Sequence, residues 1–116
     1  MPNNNEKRKH IRAKTHVRVN CKSEGIFFSD FTRDISFDGA GIESLVTIAP
    51  GTIIDLFFTL PEETESIMVR GKVLWSRVKP STYESGKSNA MFGVQFIDIN
   101  DSHKEKLFGF VSKRIA

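Results

Sequence analysis

An all-β sandwich or barrel followed by a single terminal helix is predicted for this chain, and three observations predict it. Apolar and polar residues alternate in several short segments, the period of a half-buried strand. Turn residues interrupt those segments at intervals of roughly 8–12 residues, the spacing of sandwiches and barrels. Near the C-terminus the apolar period changes from two to that of a helix face. The length of 116 residues suits one domain around one core.

The elements follow in order. Residues 1–5, polar and rich in asparagine, are expected to be disordered, and residues 6–116 to form the single domain. Val17, Val19 and Cys21 alternate with Arg18, Asn20 and Lys22 in a first strand. Ser23-Glu24-Gly25 reads as a turn, and Ile26 to Phe31 as a second strand. "DGAG" at 38–41 supplies two glycines for a sharp turn or bulge. Ala49-Pro50-Gly51 has the order that a type II turn favours. Ile54, Leu56, Phe58 and Leu60 then alternate in a strand closed by Pro61. Over Met68 to Val78, Val69, Gly71, Val73 and Trp75 share one face. A polar loop at 79–89 precedes a last strand, Met91 to Ile97, with Phe92, Val94 and Phe96 aligned. Leu107, Phe110, Val111 and Ile115 fall on one helical face, and Ser102 with Glu105 forms a capping-box signature.

Charge and composition exclude several classes. No apolar stretch reaches the eighteen or so residues that span a bilayer, and the N-terminus lacks a signal-peptide core, so a cytoplasmic protein is expected. One cysteine excludes an internal disulfide and a cysteine-based zinc site. His10, His16 and His103 are scattered, with no HExxH and no joining carboxylate cluster. Cys21 lies on an apolar strand face and reads as a structural thiol. No phosphate-binding P-loop is present. Neither catalysis nor a metal cofactor is expected. The net charge of +3 is unevenly spread: residues 1–14 hold five Lys or Arg and one Glu, against twelve basic and thirteen acidic residues in the remainder. A nucleic-acid-binding protein needs a broad basic stripe to neutralise many phosphates. A short basic arm suits a small anionic ligand better, and nucleic acid is not the expected partner.

Two motifs carry chemistry. "EKRKHIR" at 6–12 contains an RxxxR formed by Arg8 and Arg12, and "DISFDG" at 34–39 is a DxSxxG formed by Asp34, Ser36 and Gly39. An RxxxR alone is weak in a chain with seven arginines, but the pair in this order is seldom met by chance. The chemistry suits a guanine nucleotide. A guanidinium fork pairs with guanine O6 and N7 or with two phosphate oxygens, and its flat face stacks on a base. An Asp carboxylate accepts from guanine N1 and N2. Ser36 adds a hydroxyl, and Gly39 lets the backbone approach closely. The arginines would lie on a mobile arm and Asp34 and Ser36 on a rigid strand.

"RKHIR" followed by "DISFDGAG" resembles the PilZ domain, the bacterial receptor module for cyclic di-GMP. "VRGKVLWS" at 69–76 and "FGVQFIDI" at 92–99 resemble the family's later strands. The resemblance covers residues 6–116 and implies a six-stranded antiparallel β-barrel with a C-terminal helix. It implies that Arg8 and Arg12 grip the guanine and phosphates and that Asp34, Ser36 and Gly39 form the barrel half of the site. In the family the residue before the first arginine influences whether one ligand or a stacked pair binds. Lys7 stands there, and a cation favours the pair. With no second domain attached, the resemblance implies a stand-alone receptor. It would signal through ligand-induced ordering of the arm and contact with a downstream protein.

Each of these residues has a plainer reading. Arg8 and Arg12 could form a solvated tail, and Asp34 and Gly39 could merely shape a turn. Lys9 and His10 read first as solvent-facing, with direct contact to the ligand as the alternative, and Arg33, beside Asp34, could reach a phosphate. Trp75 reads first as core, with a platform for a guanine as the alternative. Phe27, Phe28 and Phe31 are core or a partner interface; ten phenylalanines are more than one small barrel is expected to hide. Two rival functions remain: an adaptor of the same fold without ligand affinity, and a small barrel binding single-stranded nucleic acid.

Overall fold

The computed structural model describes residues 12–78 and 90–115. The expectations for residues 1–5, Lys7, Arg8, Lys9, His10 and the 79–89 loop lie outside the described residues. Seven strands and one helix follow in order: β1 (Ala13–Lys14), β2 (Arg18–Ser23), β3 (Ile26–Ile35), β4 (Gly39–Ser44), β5 (Ile53–Phe58), β6 (Ile67–Val78), β7 (Ala90–Asp98) and α1 (Asp101–Ile115). All pairings are antiparallel. Hydrogen bonds join β3, β2, β5, β6, β7 and β4 in sequence, and β4 pairs back onto β3. Six strands therefore close a barrel, which leaves no open sheet edge, and β1 is one extra strand on β3.

The alternation that predicts the strands also fills the barrel. Val17, Val19, Cys21, Ile54, Leu56, Phe58, Val69, Val73, Phe92 and Val94 are buried together in one core. The β2–β3 hairpin turns at Glu24 and Gly25, both at positive φ (51° and 82°). That is the type I′ geometry matching the twist of the strands. Gly51, at φ 94°, completes the Ala49–Thr52 turn, with Thr52 N donating to Ala49 O at 3.2 Å.

The "DGAG" glycines serve a turn and a bulge: the chain reverses at Phe37–Asp38, where Ser36 N donates to Gly39 O at 2.8 Å, and Gly41 lies in β4 opposite the register step between Thr32 and Asp34. Two expectations are corrected. Ser102 is not the helix cap. His103 N donates to Asn100 Oδ1 at 2.7 Å, so Asn100 caps α1 one residue before it begins. Trp75 is not in the core, for a reason given below. The helix face is as expected, with Leu107, Phe110 and Val111 buried against the barrel core.

Cys21 is fully buried, and desolvation followed by the nearby Asp30 charge pushes its thiol well above the ordinary range, which makes it inert. Asp30 itself is 7 % exposed, and its Oδ2 has no partner among the described residues. Burial pushes its carboxyl up, and a hydrogen bond with Ser44 opposes that only in part. Between its unfolded- and folded-state values, Asp30 therefore keeps in the folded protein a proton that the unfolded chain has released. The stability linked to Asp30 is complete below the ordinary aspartate range and is lost as pH rises through the folded-state value. Urea unfolding is expected to show Asp30→Asn gaining stability relative to wild type as pH rises from about 4 towards neutrality. A difference that is constant with pH would show that Asp30 is charged in the folded state.

Candidate functional site

Two β-bulges build the site. On β3 the register steps from Thr32 opposite Ile42 to Asp34 opposite Gly41, leaving Arg33 as the extra residue. On β6 it steps from Val73 opposite Val94 to Trp75 opposite Gly93, leaving Leu74 extra. An extra residue reverses which face each following side chain takes. Without the bulges Asp34 would follow Thr32 inward and Trp75 would follow Val73. With them, both turn out of the barrel, and Ser76 takes the inward place, its Oγ buried without a described partner.

The two bulges meet across the sheet. Gly41 on β4 lies directly opposite Gly93 on β7. One row therefore runs Asp34, Gly41, Gly93, Trp75 across four strands. The glycines form a floor without side chains. A Cβ on Gly41 would stand 3.1 Å from Asp34 Oδ1, and one on Gly93 would collide with the Trp75 indole. Glycine thus lets Asp34 take the Gly41 N–H at 3.1 Å and lets the indole lie flat on the backbone. Above this floor is a cleft of about 360 Å³. Arg12, Arg33 and Asp34 line one side, and Trp75 and Arg77 the other.

Arg12 reaches the cleft because β1 pins the chain beside it. Ala13 pairs with Ile35 and Lys14 with Asp34, Ala13 is buried, and Thr15 N donates to Arg33 O at 3.0 Å. Arg12 thus stands at the foot of a paired strand and not on a free arm. Its Nη1 donates to Asp34 Oδ1 at 2.8 Å. That oxygen also takes the Gly41 N–H, while Oδ2 accepts no bond from a described residue. Across the cleft the Arg77 guanidinium lies 4.7 Å over the Trp75 ring. Arg33 Nη1 is 3.2 Å from the Met91 sulfur.

The remaining motif residues sit in the β3–β4 turn. Ser36 is buried, and its hydroxyl lies 2.8 Å from Asp38 Oδ1 and 3.2 Å from Gly39 O. Ser36 N also donates to Gly39 O at 2.8 Å, and Phe96 N donates to Asp38 O, which ties the turn to β7. A Cβ on Gly39 would lie 2.5 Å from Val94 O. The structure therefore brings Arg12, Arg33, Asp34 and Trp75 together at the cleft and places Ser36 and Gly39 in the turn that holds β3 against β4. The sequence reading points to neither Gly93 nor Arg77, and to Gly41 only as a turn or bulge residue. The available signal was an isolated glycine inside a strand pattern, which marks close backbone approach.

The glycine floor carries a direct consequence. Gly93→Ala is expected to lift the indole off the backbone while the barrel stays folded, at a cost of about 1–3 kcal/mol. Trp75 is the single tryptophan of the chain, so its emission should shift to the red and its quenching by acrylamide should rise. An unchanged spectrum would show that the ring does not rest on Gly93.

The PilZ domain family model matches residues 6–113. The chain belongs to the PilZ domain family. No curated protein matches it in sequence. Solved structures share the PilZ fold at low identity. The Bacillus subtilis inhibitor of motility MotI/DgrA superposes with a TM-score of 0.77 at 17 % identity, over 99 % of this chain and 56 % of that one. The PilZ domain of YcgR from Escherichia coli, solved with c-di-GMP, gives 0.72 at 7 % identity, over 93 % of this chain and 91 % of that one. The PilZ domain of CeSA from a cellulose-synthesizing bacterium gives 0.65 at 14 %, over 91 % of this chain and 99 % of that one. The present chain thus spans little more than half the length of MotI/DgrA. No described helix is long and apolar enough to cross a membrane, and no described cluster of His, Cys, Asp and Glu could hold a metal ion.

Proposed function

We propose that this PilZ domain, taken as one unit over residues 6–116, binds cyclic di-GMP in the cleft and acts as a receptor, not an enzyme. One observation carries the reading: three guanidinium groups and a half-buried indole converge on one cleft over a floor of two glycines. A cyclic dinucleotide offers two phosphates to the cations and flat bases to the indole and the arginine planes. YcgR, of the same fold, is described with this ligand.

In this reading Arg12 spends one donor on Asp34 and turns the rest of its fork to phosphate or guanine. Arg8, one step along the RxxxR, supplies the second fork. Asp34 orients Arg12 and offers its other oxygen to guanine N1 and N2. Trp75 and Arg77 stack on a base, and Arg33 meets a phosphate, with Lys7 and Lys9 adding charge at the entrance. Ser36 and Gly39 act through the turn that sets Asp34. Ligand contact orders the arm over the barrel, and the changed surface is the message passed to a downstream protein. A second messenger made inside the cell places the receptor in the cytoplasm.

Calorimetric titration tests this. Saturable heat with cyclic di-GMP and none with GTP is expected, with a midpoint at two ligands per chain if Lys7 favours the stacked pair. No heat at high ligand concentration would leave an adaptor of PilZ fold that works by protein contact alone.

A further inference from the structure

The outer face of the β2–β3 hairpin carries a pattern that the cleft does not use. Arg18 stands opposite Phe31, Asn20 opposite Ser29, and Lys22 opposite Phe27. The Arg18 guanidinium lies 5.2 Å over the Phe31 ring and the Lys22 ammonium 5.3 Å over the Phe27 ring. Between these two cation–aromatic pairs, Ser29 Oγ donates to Asn20 Oδ1 at 2.6 Å. Phe57 on β5 stands on the other side of Asn20. Asn20, Phe27, Phe28, Ser29, Phe57 and Ser66 line a groove of about 690 Å³, and Phe27 is 67 % exposed.

Neither cation has a carboxylate among the described residues. Asp55, opposite Lys22, is bound instead by Arg70 Nε at 2.9 Å. Among the described residues the face therefore presents two cations without an ion-pair partner, with an apolar groove between them. A ring beneath each cation leaves its outer side open to an anion.

We propose that this face docks an extended segment of a partner protein with the pattern acidic–x–apolar–x–acidic. Arg18 and Lys22 are four residues apart on one strand, so their backbones are separated by about 13 Å. An extended partner segment has the same rise and turns alternate residues to one side. Its first and fifth side chains then meet Arg18 and Lys22, and its third enters the groove beside Phe57. A membrane surface fits less well, because anionic lipids are held by larger basic clusters and a flat surface does not fill a groove.

The test is an NMR titration of the ¹⁵N-labelled full chain with the peptide Ser-Glu-Ser-Leu-Ser-Glu-Ser, capped at both ends. Its counterpart with lysine in place of glutamate and vesicles of phosphatidylglycerol and phosphatidylcholine are run in parallel. Saturable shifts confined to residues 18–31 and Phe57 are expected with the glutamate peptide and not with the lysine peptide. Arg18→Glu combined with Lys22→Glu should weaken binding about tenfold or more, with an unchanged circular dichroism spectrum. Phe27→Ser should weaken it without altering charge. The proposal is overturned by any of four results: no saturable shift at millimolar peptide, an equal response to the lysine peptide, the same residues responding to vesicles instead, or shifts that follow protein concentration alone. The last would mark the face as a contact between two copies of the chain.

Discussion

Arg12→Ala lowers the affinity for cyclic di-GMP by about two to three orders of magnitude while the melting temperature stays close to wild type. The two halves of this expectation have different causes. In the ligand-free protein Arg12 and Asp34 form a partly exposed ion pair at 2.8 Å, and such pairs contribute about 0–1 kcal/mol. In the proposed complex the same guanidinium would make charge-assisted bonds to a ligand that covers it. Truncating one partner of such a pair costs about 2–5 kcal/mol, much of it from leaving the other charge unmatched. Arg12→Lys discriminates fork from charge: it keeps the cation but loses the two parallel donors, and should recover only a small part of the affinity. Calorimetry on the three proteins, each checked by thermal unfolding, measures both quantities. Wild-type affinity in Arg12→Ala would remove Arg12 from the site, however well the protein folds.

Gly39→Ala should act on stability instead. The added Cβ would sit 2.5 Å from Val94 O, a backbone atom held in the β4–β7 ladder by Gly39 opposite Gln95 and Ala40 opposite Val94. No side chain can rotate to relieve this contact, so the two strands must separate locally. Overpacking of this kind costs about 1–3 kcal/mol and sometimes more, and a value near 3 lowers the melting temperature by about 10 °C in a domain of this size. Because Gly39 is reached through the turn and not through the cleft, the fraction that stays folded at low temperature should still bind ligand. A variant with a wild-type melting temperature and no binding would instead make Gly39 a direct contact surface.

Much of this architecture is legible in single segments. Val17, Val19 and Cys21 point inward because period two on a strand leaves no other way to bury them. Gly25 in the β2–β3 turn and the Pro50–Gly51 turn follow from local backbone preference, whereas Glu24 is held at positive φ by the hairpin. The two motifs and the family they resemble imply a shared ligand for Arg12 and Asp34, but the direct ion pair between them, 22 residues apart, is seen only in the fold. The failure at the start of the helix is just as local in origin. Ser102 and Glu105 satisfy a capping pattern, yet Asn100 lies two residues earlier and takes the orphan amide first.

What the chain alone determined was the set of strands, the core residues, the inert buried thiol, the basic arm and the motif pair, since each depends on residue type and short spacing. What the tertiary structure alone decided was which way Asp34 and Trp75 point and what lies between them. A strand's facing is set by its register with a neighbour, and one extra residue in a bulge reverses it. Arg33 and Leu74 are those extra residues only because of how β3 meets β4 and how β6 meets β7. The floor of Gly41 and Gly93 exists because β4 and β7, separated by a long stretch of sequence, bring two glycines into one row. Side-chain identity is written locally, but the row that turns an arginine, an aspartate and an indole into one cleft is a property of the closed barrel.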